Sequence, residues 1–227
     1  MHQYLEPLIE SFQQNSDPLK AKPMQKYMKN RFEFFGLKRP VRKELQKPFL
    51  QKDRLPAIEE LPEIIKELWQ WPQREFQYFA IDLLRKTSKR MNEESIGLFE
   101  YLIITKSWWD TVDIIAARTV GTHFNRFPEL LDKYIDKWMK SDNMWLQRTS
   151  LLFQLHYKEK TDYELMKKLI LKLNGSSEFF INKAIGWVLR QYSKTDAKAV
   201  ITFVENNNLA SLSEREALKW LKNQNSS

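Results

Sequence analysis

The chain has 227 residues, 42% of them hydrophobic and 29% charged, with eight Trp, eight Tyr and 14 Phe, a composition that excludes disordered and fibrous chains and supports a sizeable core. Cysteine is absent, which excludes disulfide frameworks, thiolate nucleophiles and cysteine-ligated zinc or iron–sulfur sites. The net charge of +8 is uneven, with 12 basic and six acidic side chains in residues 1–54 against 25 and 23 in the rest, a bias that suits a polyanionic partner.

Along the chain, five Gly and no Pro beyond Pro128 leave too few turn signals for a multi-stranded sheet, so the expectation is all-helical. The opening MHQYLEPLIESFQQ carries acids where a secretory signal would be apolar, and no run reaches membrane-spanning length, so an intracellular protein is expected. In residues 1–54, Pro18, Pro23, Pro40 and Pro48 divide the chain into short helices around a FEFFGLKRP turn, expected to form a capping bundle. Lys38, Arg39, Arg42 and Lys43 flank Pro40 at a helix start, where backbone N–H groups add to the positive potential; the cluster reads as a phosphate clamp or as a solvated helix end.

From residue 55 onward, amphipathic helices are expected near 61–70, 93–104, 128–140, 162–173 and 197–206. Each is followed by a second type: REFQYFAIDLL (74–84), SWWDTVDIIA (107–116), NMWLQRTSLLF (143–153), EFFINKAIGWVL (178–189) and SEREALKWL (213–221). Aligning the second helices places Ala80, Asp113, Thr149, Ala184 and Ala217 at equivalent positions, at steps of 33, 36, 35 and 33 residues. A two-helix unit of this size cannot bury its stripe alone, so successive hairpins should stack into a curved solenoid of HEAT-like repeats with an N-terminal helical cap. One continuous domain over 1–227 is expected, with 1–54 as cap and about five hairpins over 55–227. Pro72 and Pro128 read as first-turn residues, Asn174-Gly175 as a helix end, and Ser107 with Asp110 and Ser213 with Glu216 as capping boxes.

Stacking would bring Trp109 and Asp113, Trp145 and Arg148, and Lys183, Trp187 and Arg190 onto one surface. Trp109 and Asp113 are one turn apart on one helix face. Asp113 reads either as a functional carboxylate or as a structural ion pair with Arg148 of the next repeat. Trp69, Trp138 and Trp145 lie on apolar stripes and read as core, whereas adjacent Trp108 and Trp109 point about 100° apart, so one of them should face outward. Lys183, Trp187 and Arg190, at i, i+4 and i+7, form a basic and aromatic face suited to nucleic acid, or two cations snorkelling around a buried indole. Walker, dinucleotide-binding, HExxH and GxSxG patterns are absent, and three scattered histidines do not make a metal site.

The strings MKNRFEFFGL (28–37) with Pro40 and Arg42, ELWQWPQREFQ (67–77), TKSWWDTVD (105–113), DNMWLQR (142–148) and EFFINKAIGWVLR (178–190) resemble the AlkD-type alkylpurine DNA glycosylases of the DNA alkylation repair family, over essentially the whole chain. The resemblance implies a HEAT-like solenoid that binds double-stranded DNA and excises positively charged alkylated purines, chiefly 3-methyladenine and 7-methylguanine, in base excision repair. It implies that Asp113 is the catalytic carboxylate, that Trp109 and Trp187 flank the lesion's deoxyribose, and that Arg148 is a basic residue of the site. Tyr27 matches a nearby family position, and Lys38, Arg39, Arg42, Lys43, Lys183 and Arg190 are expected phosphate contacts. Arg39 stands where the family pattern has a small polar residue. No cofactor or metal is expected, and the protein is expected to be a cytoplasmic, nucleoid-associated monomer. The alternative is a catalytically silent repeat protein that binds DNA; retention of Asp113, Trp109 and Trp187 argues against it.

Overall fold

A computed structural model describes residues 1–224, which contain helices and a single isolated bridge between Glu33 and Gln73 but no β-strand. The chain groups into two compact units, Met1–Leu98 and Phe99 onward.

In the first unit, α1 (Glu6–Gln14), α2 (Pro18–Tyr27) and α3 (Arg39–Gln46) are followed by two short 3₁₀ turns and then by the hairpin of α4 (Leu61–Gln70) and α5 (Arg74–Thr87). Asp17 starts α2 by accepting from the backbone N–H groups of Leu19 and Lys20, both at 3.1 Å, which satisfies donors that a helix leaves unpaired. Pro72 lies just outside α5, whose N-cap is Gln73, so it acts as the stop signal after α4 and not as a first-turn residue. The buried Gln77 amide closes this hairpin by donating to the carbonyls of Leu68 and Trp71, each at 2.9 Å. Leu8, Phe12, Ile64, Leu68, Trp69, Phe76 and Phe79 fill the core, with Phe12 and Phe76 stacked at 5.5 Å between ring centroids.

The FEFFGLKRP turn is pinned to α5. Glu75 is fully buried, and its carboxylate accepts from the N–H groups of Phe35, Gly36 and Leu37 at 3.0 to 3.1 Å. Burial pushes the Glu75 carboxyl above its ordinary range, opposed by those hydrogen bonds. Gly36 has φ +89, and a Cβ there would stand 2.2 Å from the Asp17 carbonyl oxygen, so no side chain fits.

The division between the units falls within α6 (Ile96–Ile104). Beyond it lie α7 (Trp109–Ile114), a π-helical segment (Ile115–Val120) and α8 (Gly121–Arg126), which run on as one helix. They are followed by α9 (Leu131–Lys140), α10 (Met144–Leu152), α11 (Tyr163–Leu173), α12 (Phe179–Tyr192), α13 (Ala197–Asn206) and α14 (Ser211–Gln224). Asn143, Asp162 and Asp196 cap α10, α11 and α13 through their side-chain oxygens, and Gly175 at φ +94 follows the end of α11. Successive hairpins are stitched by hydrogen bonds about one repeat apart in sequence. Trp138 donates to Glu100 at a separation of 38 residues, Tyr157 to the Gly121 carbonyl at 36, Tyr163 to the Ala199 carbonyl at 36 and Ser213 to the Asn182 carbonyl at 31. This in-register stacking is the organisation of an α-solenoid. At the aligned position of the second helices, Ala80, Thr149, Ala184 and Ala217 are fully buried; Asp113 alone among them carries a charge.

Both expected capping boxes fail. Trp108 is the N-cap of α7, and Ser107 instead donates to the Ile103 carbonyl at 2.6 Å. Ser213 lies inside α14, which starts at Ser211, because its buried hydroxyl is used against α12.

Candidate active site

The centre of the second unit is an ion pair between adjacent second helices. Arg148 of α10 donates from Nε to Asp113 Oδ1 at 2.7 Å and from Nη2 to Oδ2 at 2.8 Å, the fork geometry that fixes both groups in plane. Its Nη1 donates to the Phe180 carbonyl at the start of α12, and its guanidinium carbon lies 5.8 Å from the Phe180 ring centroid. Three successive second helices therefore meet at one guanidinium. The arrangement is asymmetric: the side chain of Arg148 is 3% exposed and that of Asp113 13%. Arg148 is the buried foundation, and the carboxylate is the member with more access to solvent.

Burial pushes the Asp113 carboxyl above its ordinary value, the hydrogen bonds and charge of Arg148 pull it down, and Asp110 adds a smaller upward push. Desolvation and pairing thus act in opposite directions on a single group. Around the pair, Trp108, Trp145 and Phe180 form an aromatic cluster with ring centroids 5.0 to 5.9 Å apart. Trp109, one turn before Asp113, is half-buried, as are Trp108 and Trp145. Trp69 and Trp138 are core residues, 1% and 0% exposed. Trp187 is half-buried on α12, two turns beyond Phe180.

Lys183 and Arg190 flank Trp187 but are engaged with a carboxylate that the sequence reading placed in a helix cap. Glu216 of α14 accepts from Lys183 Nζ at 2.7 Å and from Arg190 Nη1 at 2.5 Å. These bonds, led by that of Lys183, hold its carboxyl below the ordinary range. The repeat register contains the signal that was missed, since Lys183 and Glu216 each precede the aligned alanine, Ala184 or Ala217. The same register sets Trp145 opposite Phe180, which also was not singled out.

In the first unit, Tyr27 closes α2 and is 70% exposed. Lys38, Arg39 and Lys43 are exposed at the start of α3, a placement common to a phosphate clamp and a solvated helix end. Arg42 is not: it is buried, 3.7 Å from Asp82 and with its guanidinium 4.6 Å from the Tyr78 ring centroid. Its place one turn before buried Gln46 puts it on the inward face of α3, so it braces that helix on α5. Lys43 instead borders an open groove of about 710 Å³ with Lys47, Lys52, Arg85 and Lys86; the last two come from α5 and could not be grouped with it by sequence proximity.

A family model for DNA alkylation repair enzymes matches residues 8–221. The solved structure of a predicted DNA alkylation repair enzyme from Enterococcus faecalis is similar at 36% sequence identity, with a TM-score of 0.85, over 91% of this chain and 96% of that one. No curated protein matches the chain significantly. With the family model spanning nearly the whole sequence and the α-solenoid in place, the chain belongs to the DNA alkylation repair enzyme family.

Proposed function

We propose that the protein is a DNA glycosylase that hydrolyses the N-glycosidic bond of positively charged alkylated purines, 3-methyladenine and 7-methylguanine, in double-stranded DNA, initiating base excision repair inside the cell. The observation that carries this reading is the asymmetric pair: a carboxylate held in plane by Arg148 yet more exposed than its partner, one helical turn from Trp109.

The chemistry asks little of the protein. An N3- or N7-alkylated purine carries a positive charge, so when the C1′–N bond breaks the bonding pair neutralises the base and no strong acid is needed. The deoxyribose becomes an oxocarbenium ion, which Asp113 stabilises as a fixed negative charge. A water adds at C1′ and gives up its proton to Asp113 or to solvent. The electron-rich faces of Trp109 and Trp187 favour the cationic sugar. Arg148 keeps Asp113 ionised and oriented, while Tyr27, Lys38, Arg39, Lys43, Lys183 and Arg190 hold the phosphate backbone. Arg42 acts by bracing α3. A neutral base such as uracil would not be released, because its departure needs protonation or anion stabilisation.

The competing reading, a silent DNA-binding repeat protein, draws on the same ion pair, since paired carboxylates are often structural. Asp113→Asn separates the two. Mass-spectrometric detection of bases freed from methylated duplex should show single-turnover release falling by about 10²–10³-fold, the scale for losing one pre-organised electrostatic group, with duplex affinity largely unchanged. Release at the wild-type rate, or binding lost in proportion to turnover, refutes the assignment.

A further inference from the structure

The helix that carries Asp113 does not continue as a regular α-helix. Residues Ile115–Val120 are π-helical, and the segment returns to α geometry at Gly121, whose N–H donates to the Ala116 carbonyl five residues back. At this return point the helix meets the end of α10. A Cβ on Gly121 would stand 2.3 Å from the Phe153 carbonyl oxygen, a separation that only glycine permits. The Tyr157 hydroxyl donates to the Gly121 carbonyl at 2.6 Å, and the Tyr157 ring packs edge-on against Phe153 with centroids 5.9 Å apart. Burial raises the Tyr157 phenol above its ordinary pKa, so the hydroxyl keeps its proton and remains a donor.

The same two helical runs therefore touch at two places, Asp113 on Arg148 and Gly121 on Phe153 and Tyr157. In an unbroken α-helix, the eight positions from 113 to 121, at about 100° each, would leave these residues roughly 80° apart around the axis. A π turn, closed by i→i−5 bonds, takes more residues per turn and advances less with each, which reduces that angle. The π segment thus lets Asp113 and Gly121 face the same neighbour. Isolated π turns are uncommon, and they recur near functional groups.

We propose that Tyr157 is a positioning residue for Asp113: its hydrogen bond to Gly121 locks the π segment against the end of α10 and so fixes the register in which the Asp113 carboxylate meets Arg148. The catalytic part of this inference rests on the function proposed above; the geometric part does not. Tyr157 bonds to Gly121 and packs on Phe153, and it acts on the pair through the helix.

Tyr157→Phe removes one oxygen and leaves the ring packing in place. Two readouts are compared with wild type: hydrogen exchange of the Arg148 Nε–H, followed by nuclear magnetic resonance, and single-turnover release of 7-methylguanine from methylated duplex, with duplex affinity and melting temperature as controls. In the variant, exchange at Arg148 Nε should quicken and release should slow by about tenfold, the order expected for a small misplacement of a catalytic group, while affinity stays within about twofold of wild type. An Arg148 Nε–H that exchanges as in wild type overturns the inference whatever the activity shows. A rate that falls only in step with melting temperature or affinity also overturns it, because Tyr157 is then merely structural. If the wild-type protein releases no base, the proposed function fails, and the exchange measurement still decides whether Tyr157 sets the pair.

Discussion

Replacing Arg148 with Ala should move stability and activity in opposite directions along the pH axis. Burial raises the Asp113 carboxyl, Arg148 lowers it and Asp110 raises it. Without Arg148 both upward causes act unopposed, so the carboxyl rises further and binds its proton more tightly in the folded state than in the unfolded one. Such a group contributes stability that is fully present below the unfolded carboxyl pKa of about 3.9 and is lost as pH climbs through the raised native value. The proposed reaction needs the ionised carboxylate, so activity should instead appear as pH rises through that same value. Removing one member of a buried pair costs about 3–5 kcal/mol. The lower end applies here, because Asp113 keeps 13% exposure and can neutralise itself by taking a proton. At about 2–4 °C per kcal/mol for a chain of this size, the melting temperature should fall by roughly 6–12 °C at neutral pH, and by less on acidification. Thermal melts and single-turnover release across a pH series, with wild type alongside, measure both. Two profiles that superimpose on wild type, or that shift in the same direction with pH, refute the account of the pair.

Two further substitutions probe the α12–α14 face. Lys183→Ala should weaken binding to any duplex and flatten the dependence of log Kd on log salt by up to about 0.9, the contribution of one phosphate contact, while Glu216 keeps its bond to Arg190; a titration with an unchanged slope removes Lys183 from the interface. Gly186→Ala would place a Cβ 2.5 Å from Glu216 Cβ and 2.6 Å from the Ser213 carbonyl oxygen, forcing α14 away from α12 at a cost of about 1–3 kcal/mol, so calorimetry should show a lower melting temperature; an unaltered melt means that the close approach contributes nothing to stability.

Helix positions were legible because the apolar stripes of α4, α9, α11 and α13 hold a 3.6-residue period and are ended by proline, glycine or polar caps. The helix expected over 107–116 in fact runs on to Arg126. The π segment explains the shortfall: it buries Ile115, Ala116, Ala117, Thr119 and Val120, a phase slip that a regular period reads as the end of a stripe. The Asp113–Arg148 pair stood among the sequence alternatives, since the repeat register places these residues on neighbouring helices. Glu216 escaped because Ser-x-x-Glu at a helix start fits a capping box equally well, and only the packing of α14 on α12 shows that Ser213 and Glu216 both face the neighbouring helix. Arg42 escaped because a cation in a basic cluster carries no mark of which way its helix face turns; Asp82 and Tyr78, which receive it, are some 40 residues away.

In the Asp113–Arg148 pair, a structural role and the proposed catalytic one need not compete. A carboxylate that stabilises a cation in a poorly solvated place needs burial, because a low local dielectric strengthens its field. The same burial favours its protonated form, which would erase that field. Arg148 opposes this by pairing through both oxygens, but a fully buried ion pair would present almost no net charge to a ligand. The geometry resolves the conflict by depth. The guanidinium is buried against Phe180 with a third donor spent on that residue's carbonyl, whereas the carboxylate has more access to solvent. A cationic sugar meeting that face would feel the nearer negative end of the pair more strongly than the farther positive one, which suffices for a base that leaves as a neutral molecule and falls short for one that leaves as an anion.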